Sequence, residues 1–374
     1  MIARNPNIER SRRGERRADD LESGQQDVLT RRRTIPERSP VATIRRERPR
    51  VGFLGLGWIG RNRMEAIAQS GFVNIVGLSD SAPDRAVDAA RNLPGTEVVD
   101  SFDALLDLEL DGVVIATPSA LHAEQTAEAL ERGLAVFCQK PLGRDGAETQ
   151  RVIQIAREQD RLLAVDLSYR FISCLQKLNQ ICRSGELGEI YAIDLMFHNA
   201  YGPDKAWFYD PKLSGGGCVI DLGIHLVDLA LWNLGFPAVT NVTSRLFAGG
   251  KPIQSGRNLV EDYAVATLAL ESGAAIRMAC SWRLPAGCDA VISGSFFGTK
   301  GGAAFHNVDG SFYDFAAERF RGTKRESLDC PREQWGGRAA VHWATQLAAG
   351  SGFDPEILHL RHVAEALDAI YENA

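Results

Sequence analysis

The stretch Val51-Gly52-Phe53-Leu54-Gly55-Leu56-Gly57-Trp58-Ile59-Gly60 decides the fold of this 374-residue chain. Its first four residues predict a short buried strand, and a GxGxxG run follows at once and opens a helix-period stretch over 61–69. A second apolar strand is expected over 73–78, and Asp80 comes 20 residues after the last glycine. A glycine run between a strand and a helix, with an acid at this distance, is typical of a dinucleotide-binding α/β unit.

The three glycines have separate functions in such a unit. Gly55 allows the tight turn, Gly57 lets the backbone approach a pyrophosphate, and Gly60 lets the helix pack closely on the strand. The N-terminus of the helix, where Trp58 and Ile59 lie, offers unpaired N–H groups and a partial positive charge to the phosphates. The alternative is a glycine turn that is only structural.

Asp80 bears on which dinucleotide is bound. A carboxylate at the end of the second strand can accept both hydroxyls of an adenosine ribose and repels a 2′-phosphate. We therefore expect NAD, and NADP is less favoured because no arginine follows Asp80 directly. Arg85 comes one helical turn later.

The alternation of strands and helices continues, and two further strand ends carry polar side chains. Strand 112–116 ends in Thr117-Pro118, with His122 in the following helix, and strand 135–138 ends in Gln139-Lys140-Pro141. Loops at the carboxyl ends of parallel strands line the cofactor crevice. The expected cofactor contacts are therefore Thr117, Pro118, His122, Gln139 and Lys140. For His122, a solvent-exposed or capping histidine fits equally well.

A glycine run at 215–217 leads into a predicted helix that ends near Leu234. At 100° per residue, Asp221, His225 and Asp228 form one polar stripe on this otherwise apolar helix. Such a stripe predicts a proton-transfer site, in which histidine is the usual base near neutral pH. A metal pair has no third ligand that we can place, so no metal is expected. A hydrogen-bonded core histidine is the remaining alternative.

From about Arg50 to its end, the chain resembles the glucose-fructose oxidoreductase/inositol dehydrogenase/MocA-like (Gfo/Idh/MocA) family. The matching segments, in order, are GLGWIG, ATPSALH, QKP, SYRF, SGELGEIYAI, GGGCVIDLGIHLVDLALW, GTKGG and AIYENA. The resemblance implies a Rossmann NAD-binding domain over 50–168 and a substrate-binding and oligomerisation domain over 169–374. The second domain would be an α/β domain with a large open, mainly antiparallel sheet. Its terminal helix, 356–373, could pack back on the first domain.

The family's catalytic lysine falls on Lys140, and its Asp-x-x-x-His pair falls on Asp221 and His225. The implied reaction moves a hydride between NAD and a secondary alcohol or hemiacetal carbon of a sugar or cyclitol. His225 would take the hydroxyl proton, Lys140 would stabilise the same oxygen, and Asp221 would bind a neighbouring hydroxyl or orient the other two. One position departs from the family, whose usual Glu-Lys-Pro is here Gln139-Lys140-Pro141.

Substrate contacts are expected from Asp221, His225 and three further residues. Arg170 lies in the SYRF segment, and Tyr201 and Trp207 precede the glycine run. An aromatic ring can stack on a sugar face, whereas Arg170 or Lys205 could recognise a phosphate or carboxylate. Core or surface packing is the alternative for each.

Charge and composition exclude several other functions. Residues 1–50 hold 14 Arg and 8 acids, and the remainder holds 28 basic and 40 acidic side chains. The acidic remainder argues against broad nucleic-acid binding. We expect residues 1–49 to be a disordered, Arg-rich tail. We also expect no membrane-spanning segment, and reduced thiols in a cytoplasmic protein, because the seven cysteines include no CxxC pair.

The second half predicts strands over 189–197, 262–270, 274–282 and 291–297, with a tight turn at 271–273. A wide sheet needs its outer face covered, so a homodimer or homotetramer through this sheet is expected.

Three other activities stay open at this point. Some relatives use tightly held NAD to cleave glycosidic bonds, others are non-catalytic dinucleotide-dependent binding or regulatory proteins, and others reduce a non-sugar carbonyl or diene.

Overall fold

The structure is a computed structural model that describes residues 48–254 and 259–374. The tail predicted over 1–49 therefore lies almost entirely outside the described residues. Within them, the strands form two sheets.

The first sheet has six strands, all parallel, in the order β3-β2-β1-β4-β5-β6. The strands are β1 (Arg50–Leu54), β2 (Asn74–Ser79), β3 (Glu97–Val98), β4 (Gly112–Ile115), β5 (Ala135–Cys138) and β6 (Leu163–Val165). The helices between them are α1 (Trp58–Ser70), α2 (Pro83–Ala90), α3 (Phe102–Leu106), α4 (Ser119–Glu131) and α5 (Gly146–Glu158). Strands β4 and β5 are buried along their whole length, which explains their continuous apolar sequences. The strand order changes direction between β1 and β4, and α/β proteins bind dinucleotides at that point.

The second sheet has nine strands in the order β15-β14-β13-β12-β7-β11-β10-β8-β9. Its strands are β7 (Ile190–Asn199), β8 (Val239–Ala248), β9 (Lys251–Ile253), β10 (Tyr263–Leu270), β11 (Ala275–Ser281), β12 (Ala290–Gly298), β13 (Gly302–Asn307), β14 (Phe315–Arg321) and β15 (Lys324–Leu328). Only the β7–β11 pair is parallel among its described strands. The predicted α/β fold with a second, mainly antiparallel sheet is confirmed.

Buried and more exposed residues alternate along the strands of the second sheet, so one of its faces is covered. In β7, Ile193, Leu195 and Phe197 are buried, and Met196 on the other face is partly exposed. The covering helices include α6 (Ser173–Arg183), α8 (Ile224–Leu234) and α10 (Leu360–Glu372). The short helix α7 (Pro211–Ser214) precedes the glycine run.

Two helices near the end of the chain contact the first sheet or its helices. Helix α9 (Arg338–Ala348) packs on α1, and the ring of its Trp343 lies 6.0 Å from that of Phe137 in β5. The carboxylate of Asp368 in α10 accepts the N–H of Gly146 at the start of α5. The helix expected over 356–373 is interrupted, because residues 355–359 form a 3₁₀ turn before α10 begins.

By length and composition, the stretch Pro211–Leu234 is the one candidate for a membrane span among the described residues. It has 24 residues, of which 215–217 are not helical, and a mean hydropathy of 1.4 in its most apolar window, but 83% of that window is buried within the fold. Burial of this extent is typical of a core segment.

Candidate active site

A cleft of about 1040 Å³ opens at the carboxyl ends of the first sheet's strands, beside the segment that leads to α8. Every residue predicted to contact the cofactor lines this cleft, together with two predicted substrate residues. These are Gly55, Gly57, Trp58, Ile59, Gly60, Asp80, Thr117, Pro118, His122, Gln139, Lys140, Trp207 and Asp221. Three predicted residues, Arg170, Tyr201 and His225, do not line it.

The glycine run has the shape that a dinucleotide requires. Gly55 has φ +89°, and a Cβ there would lie 2.5 Å from the carbonyl oxygen of Ala116. A Cβ at Gly60 would lie 2.0 Å from the oxygen of Gly55. At Gly57, by contrast, nothing lies within 4 Å, so the backbone is open to a ligand at the start of α1. The residues present therefore fit a pyrophosphate at this helix N-terminus.

Asp80 is more constrained than its sequence position suggested. Its Oδ2 accepts the N–H of Leu56 in the glycine run at 2.6 Å, and its Oδ1 accepts that of Ala82 at 2.8 Å. Each carboxylate oxygen has a second lone pair, so hydroxyl groups can still be accepted. The guanidinium of Arg85 lies 3.7 Å from Oδ1 and also lines the cleft. A positive charge therefore lies close to Asp80, although Arg85 comes five residues later in the sequence.

His122 joins two cofactor loops instead of presenting a free nitrogen to the cleft. Its Nδ1 lies 2.6 Å from the carbonyl oxygen of Pro141, and its Nε2 lies 2.7 Å from that of Thr117. Burial lowers the pKa of His122, although the two carbonyl oxygens oppose this shift by favouring a protonated ring. The alternative of a solvent-exposed histidine is wrong, because His122 is fully buried.

Lys140 and Asp221 meet in the cleft wall. The Nζ of Lys140 donates to Oδ1 of Asp221 at 2.6 Å and to the backbone oxygen of Asp221 at 2.7 Å. The indole N–H of Trp282 donates to the other carboxylate oxygen at 3.0 Å. Asp221 is thus fixed on both sides, and Trp282, at the end of β11, had no signal in the sequence.

The predicted α-helical stripe is broken because residues 219–223 form a π-helical turn before α8 begins. Asp221 faces Lys140, whereas Asp228 faces Arg170, whose Nε donates to it at 2.9 Å. Arg170 also lies over the ring of Phe236. Asp228 therefore binds the side chain of Arg170. The guanidinium that was predicted to bind substrate is already paired with a carboxylate.

His225 does not line the cleft, and 7% of the residue is exposed. Its ring lies 4.7 Å from that of Tyr169 and makes no hydrogen bond within the described part of the chain. Burial, and then the positive charges of Lys140 and Arg63, hold the pKa of His225 well below 6.5. The ring is therefore neutral near pH 7.

Glu261 fixes the glycine run and was missed by the sequence analysis. It is fully buried, and its carboxylate accepts the N–H groups of Gly217 and Val219 and the hydroxyl of Tyr371. A Cβ at Gly217 would lie 1.9 Å from the backbone oxygen of Glu261. Burial raises the pKa of Glu261 to about 7. Since the π turn follows directly, Glu261 helps to hold Asp221 in place.

Of the aromatic substrate residues, only Trp207 belongs to the cleft. It stacks on Phe208 with ring centroids 3.8 Å apart. Tyr201 is 57% exposed and its hydroxyl donates to Asp289 at 2.6 Å, so the structure does not bring it to the other predicted residues.

Two family profiles match the chain. Residues 49–167 match an oxidoreductase family described as having an NAD-binding Rossmann fold, and residues 175–304 match the GFO/IDH/MocA C-terminal domain.

Individual proteins give the same result. The chain is 30% identical to D-glucoside 3-dehydrogenase of Escherichia coli over 68% of this chain and 76% of that protein. It is also 30% identical to the rhizopine catabolism protein MocA of Rhizobium meliloti, over 54% of this chain and 62% of that protein. Among solved structures, GenD2 from gentamicin A biosynthesis, in complex with NAD, superposes with a TM-score of 0.73. It is 25% identical, and the match covers 88% of this chain and 94% of GenD2.

Proposed function

Because the chain belongs to the GFO/IDH/MocA family of NAD(P)-dependent oxidoreductases, we propose that it oxidises or reduces a sugar, cyclitol or derivative. The hydride would move between NAD and a secondary alcohol or hemiacetal carbon. The observation that carries this proposal is the contact between Lys140 and Asp221 in the wall of the cleft that also holds the glycine run.

Lys140 is the proposed stabiliser of the reacting oxygen. When bound, NAD(P) accepts or supplies the hydride, and the chain must handle the charge and the proton on the oxygen. An ammonium group has three N–H donors, and two of them are directed at Asp221. The third is available for the substrate oxygen, whose developing negative charge Lys140 would stabilise.

His225 is the proposed proton acceptor. Its neutral ring, with no hydrogen bond in the described part of the chain, has a nitrogen lone pair available. Asp221, held by Trp282, would keep Lys140 in place and accept a neighbouring hydroxyl of the substrate. The stacked pair Trp207 and Phe208 would pack on the apolar face of a sugar ring.

NAD is proposed as the dinucleotide. The negative charge of Asp80 opposes a 2′-phosphate, and its remaining lone pairs can accept ribose hydroxyls. Arg85 is the residue that would favour NADP instead.

We also propose a homodimer or homotetramer through the less buried face of the nine-stranded sheet, and a cytoplasmic location. Met196 and alternate residues of β10 are partly exposed on that face, and all seven cysteines are free thiols. Light scattering on the wild-type protein and a Met196→Glu variant tests the assembly. A smaller particle in the variant supports it, and a monomeric wild type contradicts it.

The activity is tested by incubating the protein with NAD or NADP and a panel of glycosides, sugars, cyclitols and sugar acids. Absorbance at 340 nm reports reduced cofactor, and mass spectrometry identifies the product. A product two hydrogens lighter than the substrate supports the proposal. Hydrolysed glycoside with no net change at 340 nm would indicate the glycosidase-type activity, and bound NAD with no product would indicate a binding protein.

A further inference from the structure

A buried charged pair lies behind Lys140. Arg63, on α1, and Asp166, which follows β6, are 5% and 1% exposed. The Nε of Arg63 donates to Oδ2 of Asp166 at 2.6 Å, and Nε2 of Gln139 donates to the same oxygen at 3.1 Å. Charges at this depth are costly unless they are paired, so each member of the pair requires the other.

Gln139 connects this pair to Lys140. Its Oε1 accepts the backbone N–H of Lys140 at 2.8 Å, while its Nε2 donates to Asp166. An amide can do both because it carries a donor and an acceptor, whereas a carboxylate only accepts. A glutamate here would place two carboxylate groups within hydrogen-bond distance.

We propose that Asp166, at the end of β6, supplies the buried carboxylate that positions Lys140. Asp166 is then a positioning residue that acts on Lys140 through the neutral side chain of Gln139. This inference rests on the proposed function, in which Lys140 acts on the substrate.

The formal charges of the site agree with this assignment. Arg63 and Lys140 are balanced by Asp166 and Asp221, with a neutral residue at 139. Gln139→Glu would add one uncompensated negative charge, and Asp166→Asn would remove one. The two variants disturb the balance in opposite directions, so the double variant restores it.

Asp166→Asn removes the charge and keeps the shape of the side chain. Oδ1 of Asp166 is buried and accepts no hydrogen bond within the described residues. The amide nitrogen can occupy that position, and the amide oxygen can still accept from Arg63 and Gln139.

Two titratable groups close to the network are shifted by burial. Burial raises the pKa of the Cys138 thiol to about 12, and Asp166 adds to that shift. Burial, with the charges of Lys140 and Arg63, lowers the pKa of His225. Because these groups are present in the wild type as well, a pH dependence of Tm that only Gln139→Glu shows reports the added carboxyl group.

The first test is thermal unfolding from pH 5 to pH 8 of the wild type, Gln139→Glu, Asp166→Asn and the double variant. The control is Gln154→Glu, because Gln154 also donates to a carboxylate, that of Glu158, but on the exposed face of α5. Asp166→Asn should lower Tm by roughly 5–10 °C because the buried cation of Arg63 loses the negative charge that balances it. Gln139→Glu should melt near the wild type at pH 5, where one carboxyl retains a proton, and progressively lower as pH rises.

The double variant tests the charge assignment, that is, whether Asp166 supplies the negative charge that balances the cations next to Gln139. At pH 8 it should recover more than half of the Tm lost by the worse single variant. Additive losses in the double variant, or a Gln139→Glu profile as flat as that of the control, would overturn the assignment.

The second test addresses positioning. Each single variant should lower kcat by about 10²-fold, and the double variant should regain at least tenfold. NAD affinity should stay within about threefold of the wild type in Asp166→Asn, because Asp166 does not line the cleft. Restored Tm without restored kcat would overturn the positioning role.

Failure of the proposed function gives a different pattern. If the wild type turns over no substrate, the Tm coupling still tests the carboxylate assignment. A crystal structure of Asp166→Asn then tests positioning. A displaced Lys140 amine supports that role, and an unmoved amine overturns it.

Discussion

The side-chain amine of Lys140 lies 2.6 Å from Oδ1 of Asp221, although 81 positions separate the two residues. Lys140 follows the fully buried strand β5, and Asp221 lies in the π turn that Glu261 holds against the glycine run. The contact therefore joins the end of the parallel sheet to the start of α8. It places a paired cation and anion in the wall of one cleft.

Replacing Asp221 should lower activity without loss of the fold. Asp221→Asn removes the negative charge that holds Lys140, so we expect kcat to fall by about 10²-fold, at the low end of what positioned acid–base groups contribute. Steady-state kinetics checks this. The matched control is Asp329→Asn, since Lys177 donates to both the side chain and the backbone oxygen of Asp329 at an exposed site. Equal kcat values in the two variants would contradict the role.

The acid limb of the pH–rate profile should lie well below pH 6.5. A base must be unprotonated to act, and burial together with Lys140 and Arg63 holds the pKa of His225 below its ordinary value. Activity should therefore persist as pH falls through 6.5. The pH dependence of kcat/KM, which reports the free enzyme, checks this. A limb at or above 6.5, or a His225→Asn variant as active as the wild type, would rule out His225 as the base.

Glu261 should make the protein less stable as pH rises. Its pKa is 4.5 ordinarily and about 7 in the fold because of burial, so the folded chain retains a proton that the unfolded chain has released. Its contribution to stability is therefore lost as pH rises through this interval. Glutamine at position 261 cannot ionise. The Tm of Glu261→Gln minus that of the wild type should therefore increase from pH 5 to pH 8.

The control for Glu261 is Glu271→Gln, because Glu271 also accepts a backbone N–H, that of Ala238, but at an exposed site. Its Tm should keep a constant difference from the wild type. The same constant difference in Glu261→Gln would show that Glu261 is ionised throughout the range.

The choice of dinucleotide should depend on Asp80. We expect the wild type to have a kcat/KM for NAD at least tenfold above that for NADP. Asp80→Asn should reduce this preference by about tenfold or more, because Arg85 then lacks a competing carboxylate. Asp84→Asn, on the exposed first turn of α2, should leave the preference unchanged. A wild type that prefers NADP would show that Arg85 outweighs Asp80.

Local sequence signals predicted much of the fold and one side of the site. The glycine run and the ends of β2, β4 and β5 placed eleven expected cofactor contacts in one cleft, because side chains at the ends of parallel strands share an edge. Strand β5 has the predicted bounds. Asp166 follows β6 and was missed, although the same rule about strand ends applies to it.

Long-range and backbone features were not predictable in this way. The π turn depends on backbone hydrogen bonds and separates Asp221 from Asp228, which the α-helical period had placed on one stripe. Arg170 binds Asp228 from 58 positions away, and Glu261 contacts Gly217 from 44 positions away. No local pattern distinguishes these partners from surface residues.

The most direct measurement of the central claim is the rate of NADH formation at 340 nm, across the sugar and cyclitol panel, in Lys140→Met and Lys177→Met. Both lysines donate to the side chain and backbone of an aspartate, but only Lys140 lines the cleft. We expect Lys177→Met to match the wild type and Lys140→Met to lose at least 10²-fold while still binding NAD in calorimetry. Equal rates in the two variants, with the same substrate, would contradict the account.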